Sequence, residues 1–420
     1  MPVSAEHTSG VDSRRAWLVV VAAFFTSAIA YGVSYAFGVF LRPLEATFDV
    51  GHATMSTLFS ALSVLSYFLG PITGELSDKI GARPVVAGAA VLMGGGLLLS
   101  ARVHSFALLY LTFGVCVGAA VACSYVPSVA AVGEWFKVQR DLALGIAITG
   151  TGLGTLIGAP AAARLIDRFG WRETLEVFGW VSLVGLLACA ALLLRPPVLK
   201  KVTGNVWEKV GTRPFVLLYL GLGFRGVALY ATIVFLPAFA MDLGSSHLAA
   251  ARLIGYLGVA SIAGRFGLTA LARRYGLMNT YIFSCAVMLT GCVTWVFSHG
   301  YFALVLFALA MGVGYGANAA MTPSVAASKF GIEGLGKLLG WLYTSFGVAC
   351  IIGPPLAGEL IDLTHDYRYS AYVALVGGIV SLAVIVPLRE ARPADGESSG
   401  GLSGTSPAPS RWRGSDNGTV

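Results

Sequence analysis

Two arginines, Arg225 in LGLGFRGVALY and Arg265 in SIAGRFGL, stand inside long apolar runs. A guanidinium stays protonated and offers a planar fork of donors that matches a carboxylate. Placing it at membrane depth costs about 2.5–3.5 kcal/mol on insertion scales. Its chemistry there is anion binding, or else a structural ion pair. Glycine-rich chemistry comes next, in GEWFKVQRDLALGIAITGTGLGTLIGAP, residues 133–160. A dinucleotide loop needs G-x-G-x-x-G. Gly150 and Gly152 would need glycine at 155, which is Thr155, and Gly152 and Gly154 would need it at 157, which is Ile157. No Lys-Ser/Thr pair follows to make a P-loop. The spacing that fits is four: Gly150, Gly154 and Gly158 fall on one helical face, which lets two helices approach closely in lipid. The six cysteines lie in apolar runs without a C-x-x-C, so neither a metal site nor a disulfide framework is expected. No nucleophile–base pair is legible, so the chain reads as a non-enzyme that needs no cofactor.

Only 12% of the 420 residues are charged and 56% are hydrophobic, with a mean hydropathy of +0.77. Soluble domains carry about 25% charged residues, so water cannot be the solvent for most of this surface. The apolar runs are continuous rather than alternating, which excludes a lipid-facing barrel. A membrane helix takes about 20 largely apolar residues, and twelve such segments are legible: 16–41, 53–76, 84–101, 105–133, 142–163, 175–194, 214–241, 249–271, 279–298, 301–328, 337–361 and 369–388. The first, SRRAWLVVVAAFF, resembles an export signal, with AIA at 28–30 resembling a cleavage site. Its apolar run continues to Leu41, too long for a signal, so it is expected to be a retained helix.

Putting the N-terminus in the cytoplasm places 19 of the 28 Lys and Arg residues on that side, seven on the other, and leaves Arg225 and Arg265 within segments. This bias orients membrane proteins. The net charge of +7 is therefore read as topology and not as a nucleic-acid footprint. Both termini are expected in the cytoplasm.

The sequence repeats itself at an offset of 195. IGAPAAARLID (157–167) matches IGPPLAGELID (352–362), SDKIG (77–81) falls on ARRYG (272–276), and PSVAA recurs at 127–131 and 323–327, one gap away at an offset of 196. Residues 1–194 and 214–390 therefore read as two six-helix bundles of the same orientation, joined by a cytoplasmic linker, 195–213. Such parallel halves are a transporter architecture. Residues 391–420 are rich in Ser, Gly and Pro and read as a disordered cytoplasmic tail.

GELSDKIGARP, residues 74–84, joins the second and third segments. Gly81 permits a tight turn. Lys79 and Arg83 hold the loop on the cytoplasmic side, and Asp78 can accept from a neighbouring helix start. Together with Gly74, these residues match the G-x-x-x-D-K/R-x-G-x-R loop of the major facilitator superfamily and read as gating structure. Three further stretches resemble the monocarboxylate porter family: the first helix, the EWFKVQRDLALGIAITGTGLG segment containing Lys137 and Arg140, and IGPPLAGELID. The resemblance spans most of the chain. It implies an all-α fold of 12 transmembrane helices in two pseudo-symmetric bundles, and a functional arginine in the eighth helix, where Arg265 stands.

Two positions depart from the family's best-known members: Tyr35 stands for a lysine and Ser261 for an aspartate. No Asp, Glu or His falls near the middle of a predicted helix, although proton symport usually uses such a group. A proton would then ride on the substrate–arginine pair. Tyr31, Tyr35, Tyr125, Asn318 and Tyr343 are further candidates to line a cavity, each with the alternative of ordinary packing. Pro127, Pro323, Pro354 and Pro355 are expected to kink their helices.

The expected function is secondary transport of a small monocarboxylate, with Arg265 as anchor and proton coupling as an option. An oxalate/formate-type or dicarboxylate exchanger would use Arg225 as well. A membrane sensor would bind ligand without flux. Apart from substrate, proton and lipid, no partner is expected. The protein reads as a monomer, in the plasma membrane of a GC-rich bacterium.

Overall fold

The computed structural model describes residues 13–136, 140–194, 208–331 and 335–389. Lys137, most of the linker, the tail from 390 and the side chains of Asp78 and Arg140 lie outside the described residues. Twelve helical passes follow one another: α1 (Arg14–Phe48), α2 (His52–Phe68, continued as Gly70–Ile80), α3 (Ala82–Ser100), α4 (Phe106–Trp135), α5 (Arg140–Phe169), α6 (Trp171–Leu192), α7 (Arg213–Asp242), α8 (His247–Tyr275), α9 (Leu277–Val296), α10 (Tyr301–Phe330), α11 (Leu335–Thr364) and α12 (Arg368–Ile385). Among the described residues, eleven are long and apolar enough to cross a membrane; α2 makes the twelfth, bent by 42° where Gly70-Pro71 restarts it. The remaining prolines of the expectation, Pro127, Pro323, Pro354 and Pro355, sit inside uninterrupted helices.

The 195-residue repeat is visible in the backbone. Left-handed or otherwise positive φ occurs at Asp49 and Gly244, at Gly81 and Gly276, and at Gly170 and His365. Each pair is 195 apart, so the turns α1–α2, α2–α3 and α5–α6 recur as α7–α8, α8–α9 and α11–α12. Glycine fits these turns because it has no Cβ to clash.

The four-residue glycine row of α5 packs on α1. A Cβ at Gly150, Gly154 or Gly158 would fall 2.0, 2.0 and 2.3 Å from the carbonyls of Phe24, Ala28 and Gly32. No side chain fits there, and in lipid such backbone proximity supplies the packing that a hydrophobic effect cannot. Gly152, on another face, meets Ile262 and Gly258 of α8. Thus α5 bridges its own bundle and the other one. The first six and last six helices also meet where α2 runs along α11 and where α1 crosses α7. At that crossing, a Cβ on Gly38 would lie 2.2 Å from the Ile233 carbonyl.

Several helices run further than their hydropathy suggested, and in two of them the extension carries an acid. The apolar run of α1 ends at Leu41, yet the helix continues through Pro43 to Phe48 and stops at Asp49. Arg42 does not terminate it, because its guanidinium donates to the Ala238 carbonyl of α7 at 3.0 Å. At its far end α11 likewise extends to Thr364. Glu45 and Asp362, which fell outside predicted segments, therefore belong to helices. The histidines expected in loops include the first residues of α2 and α8, His52 and His247.

Candidate substrate site at the interface of the two bundles

Arg265 projects from α8 into the contact with α5. One Nη donates to the Ile148 carbonyl at 2.6 Å and the other to the Thr151 hydroxyl at 2.7 Å. The residue is 6% exposed and its Nε finds no acceptor. It forms no ion pair among the described residues. The close α5–α8 packing at Gly152 and Gly258 brings these acceptors within reach. A helix carbonyl and a hydroxyl satisfy hydrogens but leave the charge uncompensated. Buried charges are ordinarily paired, and this one is met only by neutral acceptors among the described residues.

Tyrosines surround this level of the interface. Tyr31 packs edge-on against Tyr35 and Tyr125, at centroid distances of 5.4 and 5.2 Å. The Tyr35 hydroxyl reaches that of Tyr315 at 3.5 Å. Tyr67 bonds to Tyr230 through their hydroxyls and stacks on Phe346, which in turn packs against Tyr343. Tyr125 lies within electrostatic range of the Arg265 guanidinium. The cage therefore draws on α1, α2, α4, α7, α10 and α11. Tyr67, Tyr230 and Tyr315 were missed in the sequence, because single tyrosines in apolar runs carry no pattern. One signal existed: Tyr35 and Tyr230 are 195 apart and occupy equivalent places in the repeat.

Arg225 and Asn318 sit elsewhere. Within the second bundle Arg225 donates to Asn318 Oδ1 at 2.6 Å and to the Tyr281 hydroxyl at 2.9 Å. Its guanidinium lies over the rings of Tyr281 and Phe346. A small cavity beside it is lined by Ala228, Cys285, Met288, Cys292, Gly378 and Ser381, all from the last six helices. Phe346 thus touches both Arg225 and the tyrosine cage. The structure joins Arg225 to Asn318, and neither to Arg265.

In the loop after α2, Gly81 makes the expected turn with φ 93°. Lys79 pairs with Glu75 one helical turn back, at 2.7 Å, on an exposed surface. Gly74 approaches Val126 of α4, and Arg83 enters the first turn of α3.

The far end of the bundle interface, away from the chain termini, is closed by polar contacts. His52 Nδ1 lies 2.7 Å from Asp362 Oδ1, and His247 Nδ1 lies 2.6 Å from Asp167 Oδ1. Both partners of one pair are 195 residues from those of the other. The two bridges are therefore repeats of one contact, each joining one bundle to the other.

This fold has a solved counterpart. A bacterial homologue of the human lysosomal transporter Spinster, in an inward-facing and occupied conformation, superposes with a TM-score of 0.73. It covers 89% of this chain and 96% of its own, at 16% identity. The family model of the Major Facilitator Superfamily matches residues 23–301 and 280–414. The chain belongs to that superfamily and is a multi-pass secondary transporter, not an enzyme. Within it, the relatives are monocarboxylate transporters. Monocarboxylate transporter 13 of Rattus norvegicus is 30% identical over 91% of this chain and 90% of its own. Monocarboxylate transporter 3 of the same species is 28% identical over 86% and 77%, and human Monocarboxylate transporter 2 is 27% identical over 85% and 82%.

Proposed function

We propose that this transporter moves a small monocarboxylate, of the lactate or pyruvate kind, across the plasma membrane by alternating access. Residues 1–194 and 214–390 would rock as two bodies about a site at the level of Arg265. The observation that carries this reading is the uncompensated charge of Arg265 at the α5–α8 contact, beside Tyr125. The guanidinium exchanges the Ile148 carbonyl and Thr151 hydroxyl for a substrate carboxylate, which it can hold bidentately. Tyr31, Tyr35 and Tyr343, with Tyr125, supply apolar faces and hydroxyls around the short carbon chain.

The dicarboxylate reading needs a second cation at the same site. Arg225 is instead engaged with Asn318 and Tyr281 inside one bundle, which supports one carboxylate per cargo. The basic bias of the loops supports termini in the cytoplasm, which would turn the closed far end outward. A transported proton, if one is coupled, travels on the substrate–arginine pair.

Purified protein in liposomes, offered lactate, pyruvate, oxalate and succinate with and without a pH gradient, tests this. Uptake of the first two, lost in Arg265→Ala, is the expected result. Binding without flux would instead favour a sensor, and preferential flux of the diacids would favour the exchanger.

A further inference from the structure

The two His–Asp bridges are repeats of one contact, but their surroundings are not. At the second, Ser246 caps its own helix α8 by accepting from the Ala249 N–H. The equivalent residue before α2 is Gly51, which has no side chain to do so. Asp362 performs that task from the opposite bundle. Its Oδ1 accepts from the His52 N–H at 3.0 Å and its Oδ2 from the Ala53 N–H at 2.9 Å. A Cβ at 51 would fall 2.8 Å from Oδ2, so glycine both removes the local cap and admits the foreign one. A carboxylate is well placed at a helix N-terminus.

The first bridge also has a third acid. Glu45 Oε2 lies 3.7 Å from His52 Nε2, and Glu45 Oε1 is buried with no hydrogen-bond partner. The Glu45 side chain is only 12% exposed. At the second bridge the repeat puts Ala240 in this place. The groups facing Glu45 can be named by element. From α2 comes His52, whose ring is already bonded to Asp362 of α11. Before α12 comes Tyr367, whose hydroxyl bonds His52 Nε2; burial pushes that phenol above its ordinary range, so it stays neutral. On its own helix, Arg42 turns to the Ala238 carbonyl and to Asp242 of α7, at 3.0 and 3.9 Å, and lies over the Tyr367 ring. From α6, Trp171 meets Thr47 and Phe48 and brings no charge. The closed cluster therefore confines two carboxylates, Glu45 and Asp362, around one imidazole. With Arg42 counted against Asp242, even a charged His52 leaves one negative charge over, on the oxygen that has no donor. A buried neutral carboxyl costs far less than a buried unpaired carboxylate.

We propose that Glu45, His52 and Asp362 form a proton-binding site shared by the two bundles, which takes up one proton on Glu45 as the far end closes. Opening separates Glu45 and His52 from Asp362, returns Glu45 to water and releases that proton to the same side. The closed form binds one proton more than the open form, so acid on that side favours closure and alkali favours opening. This rests on the alternating-access part of the proposed function and not on the choice of substrate.

Hydrogen–deuterium exchange of the full chain in nanodiscs at pH 5.5 and 8.0, corrected for intrinsic exchange, tests it. The His52 and Ala53 amides report opening, since Asp362 holds both. In the wild type their protection should be at least about tenfold greater at pH 5.5, because one linked proton changes the equilibrium up to tenfold per pH unit. Glu45→Gln, a permanently neutral mimic, should keep them protected at both values and shrink the difference to under about twofold. Equal protection at both pH values in the wild type, or the full difference surviving in Glu45→Gln, overturns the proposal. The wild-type comparison decides alone if the variant does not fold. Arg265→Ala should retain the pH difference whether or not it transports, which separates failure here from failure of the carboxylate reading.

Discussion

Arg225 and Arg265 are both buried, both lack an acidic partner among the described residues, and both leave Nε without an acceptor. Their surroundings assign them different work. Arg225 is held by an amide oxygen and a phenol within one bundle, with aromatic faces over its charge. Such a residue knits α7, α9 and α10 together and has no reason to let go. Arg265 is held by the opposite bundle, through a backbone carbonyl and a threonine hydroxyl, across a contact that must change if the bundles rock. Depth in the membrane marks both cations as costly, and the proposed function divides them by the ownership of their acceptors, Arg225 to stability and Arg265 to cargo.

The largest expected effect separates them by flux. Arg265→Ala should lower liposome uptake of lactate at least about thirtyfold, as loss of a buried charge partner costs about 2–5 kcal/mol or more. Arg265→Lys should recover part of it, since an ammonium keeps the charge but not the fork. Arg225→Met should break the comparison from the other side. It should leave uptake per folded molecule within about threefold of wild type. It should lower the melting temperature, because Asn318 and Tyr281 lose a charged donor worth about 1–3 kcal/mol. Loss of flux from well-folded Arg225→Met would put both cations to the same use and revive the diacid reading. Thr151→Val is finer: it removes one acceptor of the closed contact, worth about 1 kcal/mol. It should alter the apparent KM about fivefold in uptake assays while leaving the melting temperature nearly unchanged. Tyr125→Phe should shift KM by about twofold, the loss of one neutral hydroxyl beside the cation.

What the sequence displayed and what it concealed divide along a physical line. Continuous apolar runs, the 195-residue repeat and two misplaced arginines are chemical contrasts, visible one residue at a time. The glycine spacing in α5 also spoke through geometry, since a period of four has one helical meaning. The tyrosine cage did not, because Tyr67, Tyr230 and Tyr315 acquire a joint meaning only when five or six helices converge. Asn318 could be singled out as polar, but not assigned to Arg225 without knowing how α7 meets α10. Glu45 and Asp362 were hidden by the hydropathy boundary itself. A charged residue such as Arg42 ends an apolar run, but it need not end a helix when a carbonyl on a neighbour receives it.

Gly38 gives the molecule something like a bearing. Where α1 crosses α7 at Gly38, main chain lies on main chain, and the side-chain link between the two helices is left to Arg42 one turn on. If the bundles rock as proposed, this contact would serve as their swivel, placed along α1 between Tyr35 of the tyrosine cage and Glu45 of the far-end cluster. A methyl group there would be a wedge, forcing apart two backbones that now touch.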